Sequence, residues 1–212
     1  REALKAAECL YRDAGDVDVI IDALGLRSRM SQMVDKLSGG WQRRLDIAIA
    51  CIGSPRLLVL DEPTSGLDPV ARTALWEFLR DRRSKGVAVL TSTHDLAEAE
   101  TYADRLLVLD EGRAILRGPV SEVLSAAGGD HRLRVLSGDP GCVSAIRAQG
   151  HTPLEAGSAI SVIGDSGGLT ALREKLERLR DAGEVKFSDV LLGSVRLEDV
   201  FAFAAASRKK ET

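Results

Sequence analysis

Leu57-Leu58-Val59-Leu60 is an unbroken apolar run that stops at Asp61-Glu62. A short run of large aliphatic residues bounded by polar sequence predicts a strand buried on both faces, as in parallel α/β sheets. Residues 87–90 (Val-Ala-Val-Leu) repeat the pattern and lead into Thr91-Ser92-Thr93-His94-Asp95. Between and around these runs, helical spacing marks residues 2–12, 17–24, 41–52, 69–83 and 96–103. Gly25 stands as a helix stop, and Pro69 sits at a helix start, where a missing N–H costs least. Residues 105–109 and 114–116 flank Asp110-Glu111-Gly112 as a hairpin. The alternation predicts a parallel α/β sheet edged by an antiparallel pair.

The pattern restarts after Ser125-Ala126-Ala127-Gly128-Gly129-Asp130, the best linker in the chain. Strands are expected at 131–136, 151–155, 159–163 and 185–190, with helices at 142–149, 169–180 and 197–206. The order β-α-β-β-α-β plus a terminal helix predicts a small α+β domain of ferredoxin-like arrangement. Two domains are therefore expected, 1–124 and 125–212, and the terminal Ser-Arg-Lys-Lys-Glu-Thr reads as a frayed end.

Composition narrows the function classes. Net charge is −3, with 17 Lys and Arg against 20 Asp and Glu in residues 1–124 and 12 against 12 thereafter. Neither part is polyionic, so a nucleic-acid partner is not expected. No apolar run approaches the roughly 20 residues of a membrane span. Cys9, Cys51 and Cys142 are far apart in apolar or alanine-rich surroundings and read as buried or semi-buried thiols of a reducing compartment. No metal-ligand spacing of His and Cys is visible.

Chemistry concentrates at three places. Asp61 and Glu62 end a strand on the side where ligands of open α/β sheets collect. Such a pair either is a solvated strand end or holds a hydrated Mg²⁺ with one acid while the other takes a proton from water. Pro63-Thr64-Ser65-Gly66-Leu67-Asp68 then forms a polar turn that returns a third carboxylate to the same end. Three acids close together call for a cation or a partner surface. Ser38-Gly39-Gly40 opens the helix at 41–52, where glycines and free N–H groups suit either a plain cap or a phosphate. His94 ends the second strand and is either structural or a phosphate ligand, provided the two strands are neighbours.

In this order the pieces resemble the ATP-binding subunit of ABC transporters. Leu37-Ser38-Gly39-Gly40-Trp41-Gln42-Arg43-Arg44 resembles the signature motif. Residues 57–68 resemble the Walker B strand and D-loop, and His94 resembles the switch histidine. The resemblance covers residues 1–124 and implies ATP and Mg²⁺ as cofactors. It implies a P-loop-NTPase-like parallel sheet, lacking its N-terminal part, with a helical signature subdomain. By the same resemblance Asp61 coordinates Mg²⁺ through water, Glu62 is the catalytic base, and His94 contacts the γ-phosphate. Ser38, Gly39, Gly40 and Gln42 belong to the nucleotide held by the opposite subunit of a homodimer, and Ser65 and Asp68 communicate across it. Trp41 stands where the family usually has Gln, and packing is favoured over nucleotide stacking there.

A P-loop requires Gly-x-x-x-x-Gly-Lys-Ser/Thr. None of the seven lysines stands between Gly and Ser or Thr. The expectation is that the chain opens inside the helical subdomain and does not hold ATP alone. The ending Leu197-Glu198-Asp199-Val200-Phe201 resembles the C-terminal extension of drug-resistance exporter subunits of the daunorubicin type. The resemblance therefore implies a subunit on the inner face of the cell membrane, driving export through a separate integral membrane permease. The alternative is a truncated, non-catalytic binding or regulatory module. Chromosome-organising ATPases share these motifs but insert long coiled coils, and no sustained heptad pattern occurs here.

Overall fold

The computed structural model describes residues 1–12 and 14–208; the 209–212 part of the end read as frayed lies outside the described residues. The chain divides into two compact units, Arg1–His94 and Asp95–Thr212.

In the first unit, α1 (Glu2–Glu8), α2 (Val17–Ala23) and α3 (Gly39–Ile52) are followed by β1 (Leu57–Asp61), α4 (Pro69–Ser84) and β2 (Ala88–Ser92). Asp16 caps α2 by accepting from the Val19 N–H at 3.2 Å. Gly25 ends the segment at φ 67°, in the left-handed region that a side chain resists. Helix α3 buries Leu45, Ile47, Ala48, Cys51 and Ile52, and α4 buries Ala71, Leu75, Trp76, Phe78 and Leu79. Those spacings mark the single apolar stripe by which a helix docks.

Strands β1 and β2 pair in parallel, with Leu57 opposite Ala88 and Asp61 opposite Ser92. The expected strand at 57–60 is present, but not its two buried faces. Leu58 and Leu60 are buried while Leu57 and Val59 are 55% and 67% exposed, and Leu90 on β2 is 62% exposed. Side chains alternate across a strand, so these residues share one face with Asp61 and Ser92. The helices of this unit cover the other.

In the second unit, α5 (Leu96–Tyr102) precedes β3 (Arg105–Asp110), β4 (Arg113–Pro119) and α6 (Val120–Ser125). The hairpin forms its own two-stranded antiparallel sheet rather than the edge of the β1–β2 pair. Next come β5 (His131–Leu136), α7 (Pro140–Ala148), β6 (Leu154–Ala156), β7 (Ala159–Gly164), α8 (Ser166–Asp181), β8 (Asp189–Ser194) and α9 (Leu197–Arg208). The four strands run in the order β6-β7-β5-β8 with every neighbour antiparallel. That order is the ferredoxin-like β-α-β-β-α-β arrangement. Leu133, Val135, Ile160, Val162 and Val190 of the sheet pack with Cys142 and Ile146 of α7 and Leu169, Leu172 and Leu176 of α8.

The last strand lies four residues beyond the expected 185–190. Val185 and Phe187 pack on the same core without joining the sheet, so their apolar character serves packing and not pairing. A second cluster joins Val123, Val195, Leu197 and Val200 to Leu96, Ala99, Leu106 and Leu116. It ties α9 to α5, the hairpin and α6. The segment 95–124 therefore belongs to the same compact unit as residues 125–212. Arg132 donates to both carboxylate oxygens of Asp199 at 3.0 Å, and Asp199 also accepts from the Arg196 N–H at 2.9 Å. Among the described residues no helix is long and apolar enough to cross a membrane.

Candidate functional site

The parallel register of β1 and β2 places Asp61 directly beside Ser92, two residues before His94. Each strand ends on the same rim, so the carboxylates and the histidine come together as the sequence requires. His94 Nδ1 lies 3.0 Å from Glu62 Oε1. An ionised carboxylate only accepts, so Nδ1 donates and Nε2 is left for a ligand. Ser92 Oγ donates to Asp61 Oδ1. The Glu62 N–H donates to the same Ser92 Oγ at 3.0 Å.

Glu62 occupies φ 43°, a left-handed conformation that costs a non-glycine residue about 1–2 kcal/mol. Pro63 contributes locally, because a following proline disfavours the right-handed helical conformation. The Ser65 N–H donates to the Glu62 carbonyl at 3.1 Å and the Leu67 N–H to the Thr64 carbonyl at 3.1 Å, closing the turn. Thr64 and Leu67 are buried while Ser65 and Asp68 stay exposed. Asp68 starts α4 and accepts from the Ala71 N–H at 3.0 Å. That bond, with the Val70 amide and the Arg44 guanidinium in support, holds the Asp68 carboxyl below the usual carboxylate range.

Ser38, Gly39, Gly40 and Gln42 form a second group at the α3 N-terminus. Ser38 occupies the N-cap position without a side-chain cap bond, which leaves its hydroxyl for another partner. A Cβ on Gly40 would lie 3.1 Å from Leu67 Cδ2 and 3.4 Å from the Gly66 carbonyl oxygen. Gly40 thus lets the helix start lean on the 63–68 turn. A Cβ on Gly39 would meet nothing within 4 Å. Gln42 Nε2 donates to the Val34 carbonyl at 3.1 Å, so its amide braces the preceding turn.

Trp41 packs between two cations, with Arg44 4.4 Å and Arg29 5.2 Å from its ring centroid. Sequence reasoning passed over Arg44, which also donates to the Leu24 carbonyl at 3.3 Å and reaches Asp68 at 3.9 Å. Its signal was its position three residues after Trp41, on the same helix face. Ser92 stands in the same motif as His94, and its signal is the register that sets it opposite Asp61.

Residues 2–65 match the family model described as ABC transporter. The Nod factor export ATP-binding protein I of Rhizobium etli is 41% identical over 121 residues, 57% of this chain and 38% of that protein. The protein of that name from Paraburkholderia xenovorans is 37% identical over 137 residues, 65% of this chain and 44% of its own length. This chain thus spans less than half of the curated relatives it matches. A solved structure described as the ATP binding subunit of an ABC transporter aligns with a TM-score of 0.54 at 31% identity, over 59% of this chain and 54% of that one. Over that part the chain shares the α/β fold of that structure.

The donor set suits the cofactors such a domain implies. Mg²⁺ takes one or two carboxylates and keeps waters and phosphate oxygens for its other positions. The exposed Asp61 beside Glu62 meets that need, and among the described residues there is no cluster of three or more His, Cys, Asp or Glu that would specify an all-protein cage.

Proposed function

We propose that the chain is the signature-bearing part of an ATP-hydrolysing subunit that energises export through a separate membrane permease. The observation that carries this reading is the Glu62–His94 pair at 3.0 Å, beside Asp61 on the rim of two parallel strands. When bound, Mg²⁺ neutralises charge on the phosphates of ATP. Asp61 would hold that ion. Glu62, fixed by its turn and by His94, accepts a proton from the attacking water. His94 orients the Glu62 carboxylate through Nδ1 and offers Nε2 to the γ-phosphate.

The uncapped Ser38 and the open space at Gly39 serve a second nucleotide, held by the other subunit of a homodimer, and Gln42 supports that helix start from behind. Ser65 and Asp68 lie on the turn that links the two groups and carry communication across the dimer. This chemistry requires a P-loop, and no Gly-x-x-x-x-Gly-Lys-Ser/Thr occurs in these 212 residues. Export is the activity named for the relatives, and a drug, antibiotic or lipid-like molecule is the class of cargo we assign. With the permease as partner and no nucleic acid involved, the subunit works at the inner face of the cell membrane. Residues 125–212 are an accessory domain of the daunorubicin-exporter type, a reading supported by the Leu197-Glu198-Asp199-Val200-Phe201 ending.

The test is steady-state hydrolysis of Mg-ATP by the full-length protein. Glu62→Gln is expected to abolish turnover while ATP binding persists. Unchanged turnover in E62Q removes Glu62 from its role and the reading with it.

A further inference from the structure

We propose that Ser92 is a positioning residue that sets both acids of the site through one hydroxyl. The inference rests on the proposed roles of Asp61 and Glu62 and goes beyond them. A serine hydroxyl has one donor and two acceptor positions. Ser92 spends the donor on Asp61 Oδ1 and one acceptor on the Glu62 N–H at 3.0 Å. It thus orients the metal-binding side chain and clamps the backbone of the next residue.

That clamp falls on the residue that needs it. Glu62 is the only non-glycine residue of the 61–68 segment described at positive φ, and its conformation turns the side chain toward His94. The Ser65 N–H on the Glu62 carbonyl and the Ser92 hydroxyl on the Glu62 N–H hold the peptide units on either side. The placement follows from the fold. Ser92 is the register partner of Asp61 and shares its face of the sheet, which brings its hydroxyl to both groups. An alanine there would leave the Glu62 N–H without its partner and Asp61 free to choose another rotamer.

Activity and geometry can be read separately. In the full-length ATPase, S92A and S92V are expected to lower kcat on the order of tenfold to a hundredfold with KM for Mg-ATP little changed, the size of loss that follows misplacement of a reacting group. S92T keeps the hydroxyl and is expected to retain kcat within about threefold, a smaller loss because the donor and acceptor survive. S92T and S92V have the same shape, so a defect shared by both reports size and a difference between them reports the hydroxyl. Nuclear magnetic resonance of the 212-residue chain supplies a readout without nucleotide. Amide exchange at Glu62 should accelerate at least about tenfold in S92V while Leu58 and Leu60 keep their rates, because of the two bonds lost only the one from the Glu62 N–H protects an amide. E62Q in the same hydrolysis assay separates the two failures. Wild-type turnover in E62Q overturns the reading of the carboxylates. An inactive E62Q beside a fully active S92V, or unchanged Glu62 exchange in S92V, overturns the role of Ser92 alone.

Discussion

Gly39→Ala should make the protein more stable and less active at once. Gly39 is the first residue of α3, and a Cβ there has nothing within 4 Å. Replacing glycine by alanine in a helix-compatible position removes freedom from the unfolded chain and contributes about 0.5–1 kcal/mol, with the lower end expected in the first turn. Gly40→Ala makes the contrasting case. Its Cβ would press on Leu67 Cδ2 at 3.1 Å and on the Gly66 carbonyl at 3.4 Å, and Leu67 is buried. Overpacking of that kind costs about 1–3 kcal/mol, so the net change at Gly40 is a loss of about 1 kcal/mol. Both tryptophans, Trp41 and Trp76, lie in the first unit, so urea unfolding followed by fluorescence reports it. With a slope of about 2 kcal/mol per molar, the midpoint should rise by about 0.3 M in G39A and fall by about 0.5 M in G40A. Turnover of Mg-ATP by full-length G39A should nevertheless fall at least about tenfold, because the added methyl occupies the approach of a phosphate to the helix start. A G39A protein destabilised like G40A would refute the open space at Gly39. A stabilised and fully active one would refute its use by nucleotide.

Asp199→Ala leaves Arg132 and the Arg196 N–H without their partner in a half-buried site, and unfolding of the second unit should become easier by about 3 kcal/mol. The paired replacement Arg132→Met with Asp199→Leu should stay within about 1 kcal/mol of wild type, and urea unfolding read by amide exchange at Leu133 and Val200 checks both. Burial pushes the Cys51 and Cys142 thiols up to about 11, whereas Cys9 is exposed. Thiol reagent at pH 8 should therefore label Cys9 first and the other two only after denaturant; simultaneous labelling contradicts their burial. The lowered carboxyl of Asp68 sets a pH window. Its contribution to stability is complete above the unfolded value near 3.9 and is lost as pH falls through the lower folded value. Acid titration of D68N should lack that slope, and parallel curves for D68N and wild type would contradict it.

The grouping of the candidate site residues was legible in the sequence because the motifs that carry them are local. Asp61-Glu62, Ser38-Gly39-Gly40 and His94 each sit at the end of an element whose period or punctuation can be read, and parallel pairing of β1 and β2 was the one non-local step. Ser92 and Arg44 escaped because each acts through a partner that only register or helix–helix packing supplies, Asp61 across the strand pair and Leu24 at the end of α2. The β-α-β-β-α-β order of the second unit was visible in the spacing of its apolar runs. Its last strand was displaced because Val185 and Phe187 are as apolar as strand residues while serving only to close the core. The segment 95–124 packs with the last helix for a related reason. Glycines in 125–130 signal a flexible backbone, but Val123, Leu197 and Val200 bind the segments on either side of it into one cluster. Cys9 was expected to be at least half-buried and is exposed, because α1 buries Leu4 and Ala7 and ends before it.

Composite sites give the most direct test of the proposed mechanism. Asp61, Glu62 and His94 are assigned to one nucleotide, and Ser38 and Gly39 of the same chain to the other. Full-length subunits carrying Glu62→Gln are mixed, after dissociation, with subunits carrying Gly39→Asp, and Mg-ATP hydrolysis is measured. Each variant alone should be inactive. In a mixed two-fold dimer one site takes both lesions and the other takes none, so random mixing should restore about a quarter of the wild-type rate. Mixtures as inactive as the parent variants would contradict the shared sites, because a site built within one subunit cannot be repaired by another.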